Sequence, residues 1–149
     1  MVVSDTSVDD RAQIRALIER QFGSLSWSKS RRADWDGFAA DFLPDAPLYP
    51  GSRPVTRTSV PEFINRMRGL SKTSLPELDE RLLGDEIYVF GNVAVALAVC
   101  ELDEGEGGMS RNVEAILLVK SEGAWRIAGQ AWDTETEDQQ IPSHMLKAE

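Results

Sequence analysis

The chain has 149 residues, about the length of one ordinary domain, and 42% of them are apolar, enough for a sizeable core. Sixteen basic against 25 acidic side chains leave a formal charge of −9, a field that disfavours nucleic acid and anionic membrane surfaces. The single cysteine, Cys100, excludes an internal disulfide and a thiolate metal cluster, and the single histidine, His144, excludes a multi-histidine metal centre, so no metal site is expected.

The N-terminus lacks the basic start and apolar stretch of a secretory leader. The longest apolar run, Val93 to Cys100, is far short of the roughly 20 residues that cross a bilayer. A soluble cytoplasmic protein without a membrane partner is expected.

Ser7 to about Leu25 carries Ile14, Leu17, Ile18, Phe22 and Leu25 at helical spacing, with Ser7 as N-cap and Asp10 in an acidic first turn. A short second helix follows, capped by Asp34, with Trp35, Phe38, Ala39 and Phe42 on one face and Pro44 at its end. Four prolines between Pro44 and Pro54 leave room only for a short strand around Leu48 and Tyr49. Ser59-Val60-Pro61-Glu62 is a capping box with proline in the first turn, opening a helix that buries Phe63, Ile64, Met67 and Leu70.

The second half reads as strands. Arg81 to Phe90 and Val93 to Leu102 form a hairpin about Gly91-Asn92, Met109 to Lys120 forms a third long strand, and Ala124 to about Thr134 the last. Helices first and an antiparallel meander second predict an α+β domain, three helices packed on one face of a curved sheet. The whole of 1–149 reads as one domain, with its core over 8–134 and a polar, loosely held tail over 135–149.

Val93 to Cys100 is apolar on both faces: Val93, Val95, Leu97 and Val99 alternate with Ala94, Ala96, Ala98 and Cys100. A sheet wet on one side should alternate apolar with polar. The helices cover one face, and a second copy of the chain is expected on the other, giving a homodimer through the sheet.

Three stretches carry a resemblance to a known superfamily: Ala33-Asp34-Trp35-Asp36-Gly37 through Phe42-Leu43-Pro44-Asp45-Ala46, the hairpin Gly91-Asn92-Val93-Ala94-Val95, and Glu122-Gly123-Ala124-Trp125-Arg126-Ile127. In this order and spacing, covering about Val8 to Thr134, they resemble the nuclear-transport-factor-2-like superfamily, and within it the SnoaL-like and ketosteroid-isomerase-like small bacterial proteins. The resemblance implies a cone-shaped fold, a ligand cavity between helices and sheet, and dimerisation. It does not imply one reaction, because this fold hosts many.

The departures are informative. Tyr49, Pro50 and Gly51 stand where isomerases of the superfamily carry a catalytic carboxylate, and Phe22 stands near their first-helix tyrosine. Gly129, Gln130 and Ala131 stand where many relatives carry histidines, whereas Glu114 keeps a carboxyl group near their second acid. Standard isomerase or dehydratase chemistry is therefore not expected.

Three residues are the candidates for chemistry. Glu114 lies among apolar neighbours, where burial would raise its pKa and suit it to acid/base work; the bland alternative is a cross-strand pair with Arg111 or Arg126, or simple exposure at the dimer face. Asp133 shares the strand parity of Trp125 and Ile127, so if those face the helices, Gly129, Ala131 and Asp133 face them too. Small residues there would leave a cavity, and Asp133 would be a polar anchor on its rim. Tyr49 would offer a phenol at the mouth. Phe22, Trp35, Phe63, Met67 and Ala131 are the candidate ligand-binding residues, and Trp132, of opposite parity, is expected to face the partner subunit.

The expectation is a small-molecule-binding SnoaL-like protein with an apolar cavity and a small apolar or weakly polar organic ligand. The alternative is a cyclase, isomerase or hydrolase working through Glu114 and Asp133. Acid/base work by two carboxyl groups needs no cofactor, and none is expected.

Overall fold

The computed structural model describes residues 4–146, with side chains from residue 9 onward. Helix α1 (Ser4–Ser24) turns Ile14, Leu17, Ile18 and Phe22 to one side, and all four are buried together with Leu25 beyond its end. The helix already runs through Ser7, so Ser7 does not cap it; the side chain of Ser7 lies outside the described residues.

Buried acids anchor α1 within the fold. Asp10 accepts from Lys120 Nζ at 2.9 Å and from Trp125 Nε1 at 3.1 Å, and the lysine contact above all holds its carboxyl below the usual range. Arg15 grips Asp85 through two bonds of 2.7 Å, and Arg20 grips Asp41 at 3.1 and 2.9 Å. Such two-pronged pairs fix orientation as well as distance.

Helix α2 (Trp35–Ala40) starts at the expected cap, where Asp34 accepts from the Gly37 N–H at 2.9 Å. It stops at Ala40 rather than near Pro44, because the chain leaves to pair with Ile127: the Asp41 carbonyl accepts from Ile127 N–H at 2.8 Å, and Leu43 N–H donates to the Ile127 carbonyl at 2.9 Å. Strands β1 (Pro47–Tyr49) and β2 (Thr58–Ser59) follow. Helix α3 (Val60–Ser71) opens on the capping box: Ser59 Oγ accepts from Glu62 N–H at 3.2 Å, and the Glu62 carboxylate accepts from Ser59 N–H at 3.1 Å.

The long strands are β3 (Asp79–Phe90), β4 (Val93–Asp103), β5 (Met109–Ser121) and β6 (Ala124–Thr134). They join β1 and β2 in one six-stranded sheet of order β2-β1-β6-β5-β4-β3, antiparallel except where β1 runs parallel to β6. Three helices on a mostly antiparallel sheet make this α+β, as expected.

Two bulges reset the strand faces. On β6, Leu118 pairs with Ile127 but Leu117 pairs with Gly129, which leaves Ala128 as an extra residue. On β3, Leu82 pairs with Cys100 but Gly84 pairs with Val99, leaving Leu83. One extra residue inverts the alternation beyond it. The inward residues of β6 are therefore Trp125, Ile127, Gln130 and Trp132. Gly129, Ala131 and Asp133 face outward, against the parity expectation; Trp132 does not face a partner across the sheet.

The outer face of the sheet is largely apolar. Inward-pointing Ala94, Ala96, Ala98 and Cys100 are buried, whereas Val93, Val95 and Leu97 are exposed, together with Tyr88, Phe90 and Leu117 on the flanking strands. Part of this face is covered by the chain's own tail, contrary to the expectation of a loose 135–149 segment. A short 3-10 turn, Ser143–Leu146, lies against β3 and β4, Met145 is buried, and His144 Nε2 is 3.8 Å from Glu86. Val99, on the same face, is fully buried. Residues 147–149 lie outside the described residues.

Candidate functional site

Between the helices and the inner face of the sheet lies a cavity of about 440 Å³. Its wall is apolar on the helix side: Phe22 from α1 and Leu25 just beyond its end, Phe38 from α2, and Phe63, Met67 and Leu70 from α3. The rings pack on one another. Phe38 stacks on Phe63 with centroids 5.6 Å apart, and Phe63 meets the edge of Trp132 at 5.5 Å. Arg57 and Arg66, both exposed, stand at the mouth beside the loop through Pro50, Ser52 and Thr56.

The sheet side is polar. Glu80, Asn112, Glu114 and Gln130 line it, with Gln21 reaching across from α1. Gln21 and Gln130 exchange amide hydrogen bonds, Gln21 Nε2 to Gln130 Oε1 at 2.8 Å and Gln130 Nε2 to Gln21 Oε1 at 3.0 Å. Gln130 Nε2 also donates to Glu114 Oε1 at 2.7 Å. Glu114 is buried, and burial raises its pKa from 4.5 to about 7, against the opposing pull of the Gln130 and Asn112 amides.

Glu80 is the second carboxyl group at this end. Its backbone N–H donates to Ser26 Oγ at 3.0 Å, and its Oε1 accepts a long bond from the Cys100 thiol at 3.6 Å. Burial first, and then the neighbouring Glu114 charge, push its carboxyl well above the usual range. Cys100 is driven up by the same burial and by both carboxylates, so it is an inert thiol, not a nucleophile. An acid that titrates near neutrality beside a second acid whose carboxyl is pushed upward can give and take protons, or donate and accept hydrogen bonds. Among the described residues no three His, Cys, Asp or Glu side chains converge as metal ligands would.

Four of the residues singled out in the sequence line this cavity: Phe22, Phe63, Met67 and Glu114. The other four do not. Asp133 is exposed and faces outward beyond the Ala128 bulge; its carboxylate accepts from Thr134 N–H at 2.9 Å and Gln139 Nε2 at 3.3 Å. Ala131 shares that outward face, and Tyr49, which pairs with Ala131, is exposed there too. Trp35 sits outside the wall because it packs on Trp27 at 5.5 Å and under the Arg68 guanidinium at 5.6 Å.

Sequence reasoning missed Glu80, Gln21, Asn112, Gln130 and Trp132. Beginning β3 at Arg81 left Glu80 in a connection, two residues short of its inward neighbour Leu82. For Gln130 and Trp132 a signal was present: a glycine inside a strand pattern marks bulges, and Gly129 directly follows Ala128.

No family model matches the chain, and no curated protein matches it significantly. Solved structures do. A protein of unknown function with a cystatin-like fold from Caulobacter vibrioides superposes with a TM-score of 0.67 at 18% identity, over 87% of this chain and 92% of that one. An NTF2-like protein of unknown function from Pseudomonas putida superposes at 0.68 with 16% identity, over 91% and 95%. An NTF-2 like protein of unknown function from Silicibacter pomeroyi gives 0.63 at 18% identity, over 86% and 98%. The chain thus has the nuclear-transport-factor-2-like fold that its sequence resembles.

Proposed function

We propose that the chain is a small-molecule-binding protein whose cavity takes a small, largely apolar organic molecule with one polar group. The observation that carries this reading is the division of the cavity: aromatic and aliphatic walls on the helix side, and a hydrogen-bonding end built from Gln21, Gln130, Glu80 and Glu114 on the sheet side. Binding sites for small molecules share this make-up, a mostly apolar wall with a few convergent polar groups. A homodimer joined through the exposed apolar strip of Tyr88, Val95 and Leu117 belongs to the same proposal.

Ligand uptake is tested by thermal unfolding with phenylbutanol. The alcohol is expected to raise the melting temperature of the native chain. It should not raise that of Leu102→Trp, in which a larger ring fills the space beside the half-buried leucine of the wall. Absence of any shift with phenylbutanol and with its amine and carboxylate analogues would count against ligand binding.

One observation favours a second reading, cofactor-free proton transfer on the bound molecule. Glu114 titrates near neutrality next to a second cavity carboxyl group. In that reading Glu80, not Asp133, is its partner, because Asp133 lies outside the cavity.

A further inference from the structure

We propose that the polar group of the ligand is an amine: the cavity takes a monoamine with an apolar body, its ammonium seated at Glu80 and Glu114. This rests on the reading of the cavity as a ligand site and names the chemistry of the ligand's polar end.

The geometry supplies the argument. Glu80 on β3 and Glu114 on β5 both line the sheet-side end of one cavity, and Glu114 is only 7% exposed. Among the described residues, the cationic side chains that line the cavity are Arg57 and Arg66, both exposed at the mouth. At the carboxyl end the other groups are the amides of Gln21, Asn112 and Gln130 and the thiol of Cys100 on β4, none of them positive. Two acids thus share one cavity without a countercharge beside them, so ionising them costs free energy until a cation enters.

An ammonium group answers that deficit. It carries three donors and no acceptor, against carboxylates that accept only. Glu114 has the Gln130 amide at 2.7 Å, whereas Glu80 has only the long thiol contact at 3.6 Å, so Glu80 keeps acceptor capacity for a guest. The body of the amine would lie along Phe22, Phe63 and Trp132, faces that also favour a nearby cation. Arg57 and Arg66 at the mouth repel a second positive charge, which restricts the class to monoamines, and the overall charge of −9 favours their approach.

Three probes of one shape and different charge test this: phenylbutylamine, phenylbutanol and phenylbutanoate, titrated calorimetrically into the native chain above and below neutrality. Above neutrality the amine should bind roughly tenfold more tightly than the alcohol, the advantage expected of a charge-assisted contact. Below neutrality the gap should narrow, with proton release on binding, because the guest must then displace the Glu114 proton. Glu80→Gln and Glu114→Gln should each remove most of the amine's advantage over the alcohol. Alcohol binding as tight as amine binding in the native chain would overturn the amine assignment and leave the cavity a site for neutral molecules. An amine preference that survives in the double variant would also overturn it. Failure of all three probes to bind would remove the underlying reading and this one with it.

Discussion

Gln130 donates to Glu114 across 2.7 Å while its amide is locked in a two-way exchange with Gln21, so a side chain of β6 fixes the acid of β5 through a partner on α1. The bond favours the charged acid, yet burial outweighs it and lifts the carboxyl from 4.5 to about 7. Between those two values the folded chain holds a proton that the unfolded chain has lost. Stability therefore falls as pH rises through this window, and the cost of ionising Glu114 is complete above the folded value. At about 1.4 kcal/mol per pK unit the cost is roughly 3 kcal/mol. Glu114→Gln keeps an acceptor for Gln130 and removes the charge. It should equal the native chain in stability below the lower value and exceed it by up to that amount above neutrality. Urea unfolding across the window checks this; a difference independent of pH would contradict it.

The Ala128 bulge makes opposite predictions for two adjacent residues. Trp132→Ala removes the edge partner of Phe63 and part of the cavity wall, and should cost about 2 kcal/mol, less than truncating a fully buried ring because Trp132 is half-buried. It should also weaken phenylbutanol uptake. Asp133→Ala, on the exposed outer face, should change stability by less than about 0.5 kcal/mol and leave uptake intact. Denaturant unfolding and probe titration of both variants measure this, and interchanged effects would place the bulge elsewhere.

Much of the fold was legible because its signals are local. The Asp34 cap, the Ser59–Glu62 box, the Gly91-Asn92 turn and the period of α1 each lie within a few residues, and each stands where the sequence puts it. The site was legible only in part, because its assembly depends on strand parity carried over several residues. Phe22, Phe63 and Met67 follow from helical spacing, and Glu114 from a strand without interruption on its inner side. Asp133 and Ala131 were misassigned by one uncounted residue. Glu80 escaped because its strand begins earlier than its apolar pattern. The tail was misread because one side chain, Met145, anchors a segment whose composition is otherwise polar.

Helix α3 carries Phe63, Met67 and Arg66 to the cavity, and its start depends on a reciprocal pair of hydrogen bonds. Ser59→Ala deletes the cap acceptor and leaves the Glu62 N–H without it. The expected loss is about 1 kcal/mol, largely restored by Ser59→Asp, which can cap the same N–H. Thermal unfolding of the two variants decides this, and equal losses in both would show that the hydroxyl acts otherwise than as a cap.

The outer face yields the last prediction. Val95 is 50% exposed and Leu117 49% exposed, they pair directly across β4 and β5, and Tyr88 pairs with Val95 from the other side at 64% exposed. The three α-helices cannot cover this strip, since they occupy the opposite face, and the described part of the tail lies at the Glu86 and Val99 end. If two copies close over it, the native chain sediments as a dimer at micromolar concentration. Val95→Glu would then bury two new carboxylates in an apolar seam without a countercharge, a cost of several kcal/mol that the pair cannot sustain. The variant should sediment as a monomer with unchanged far-ultraviolet dichroism and unchanged phenylbutanol uptake, because Val95 points away from the cavity. A native chain that sediments as a monomer would refute the dimer, and a Val95→Glu dimer would move the interface off this strip.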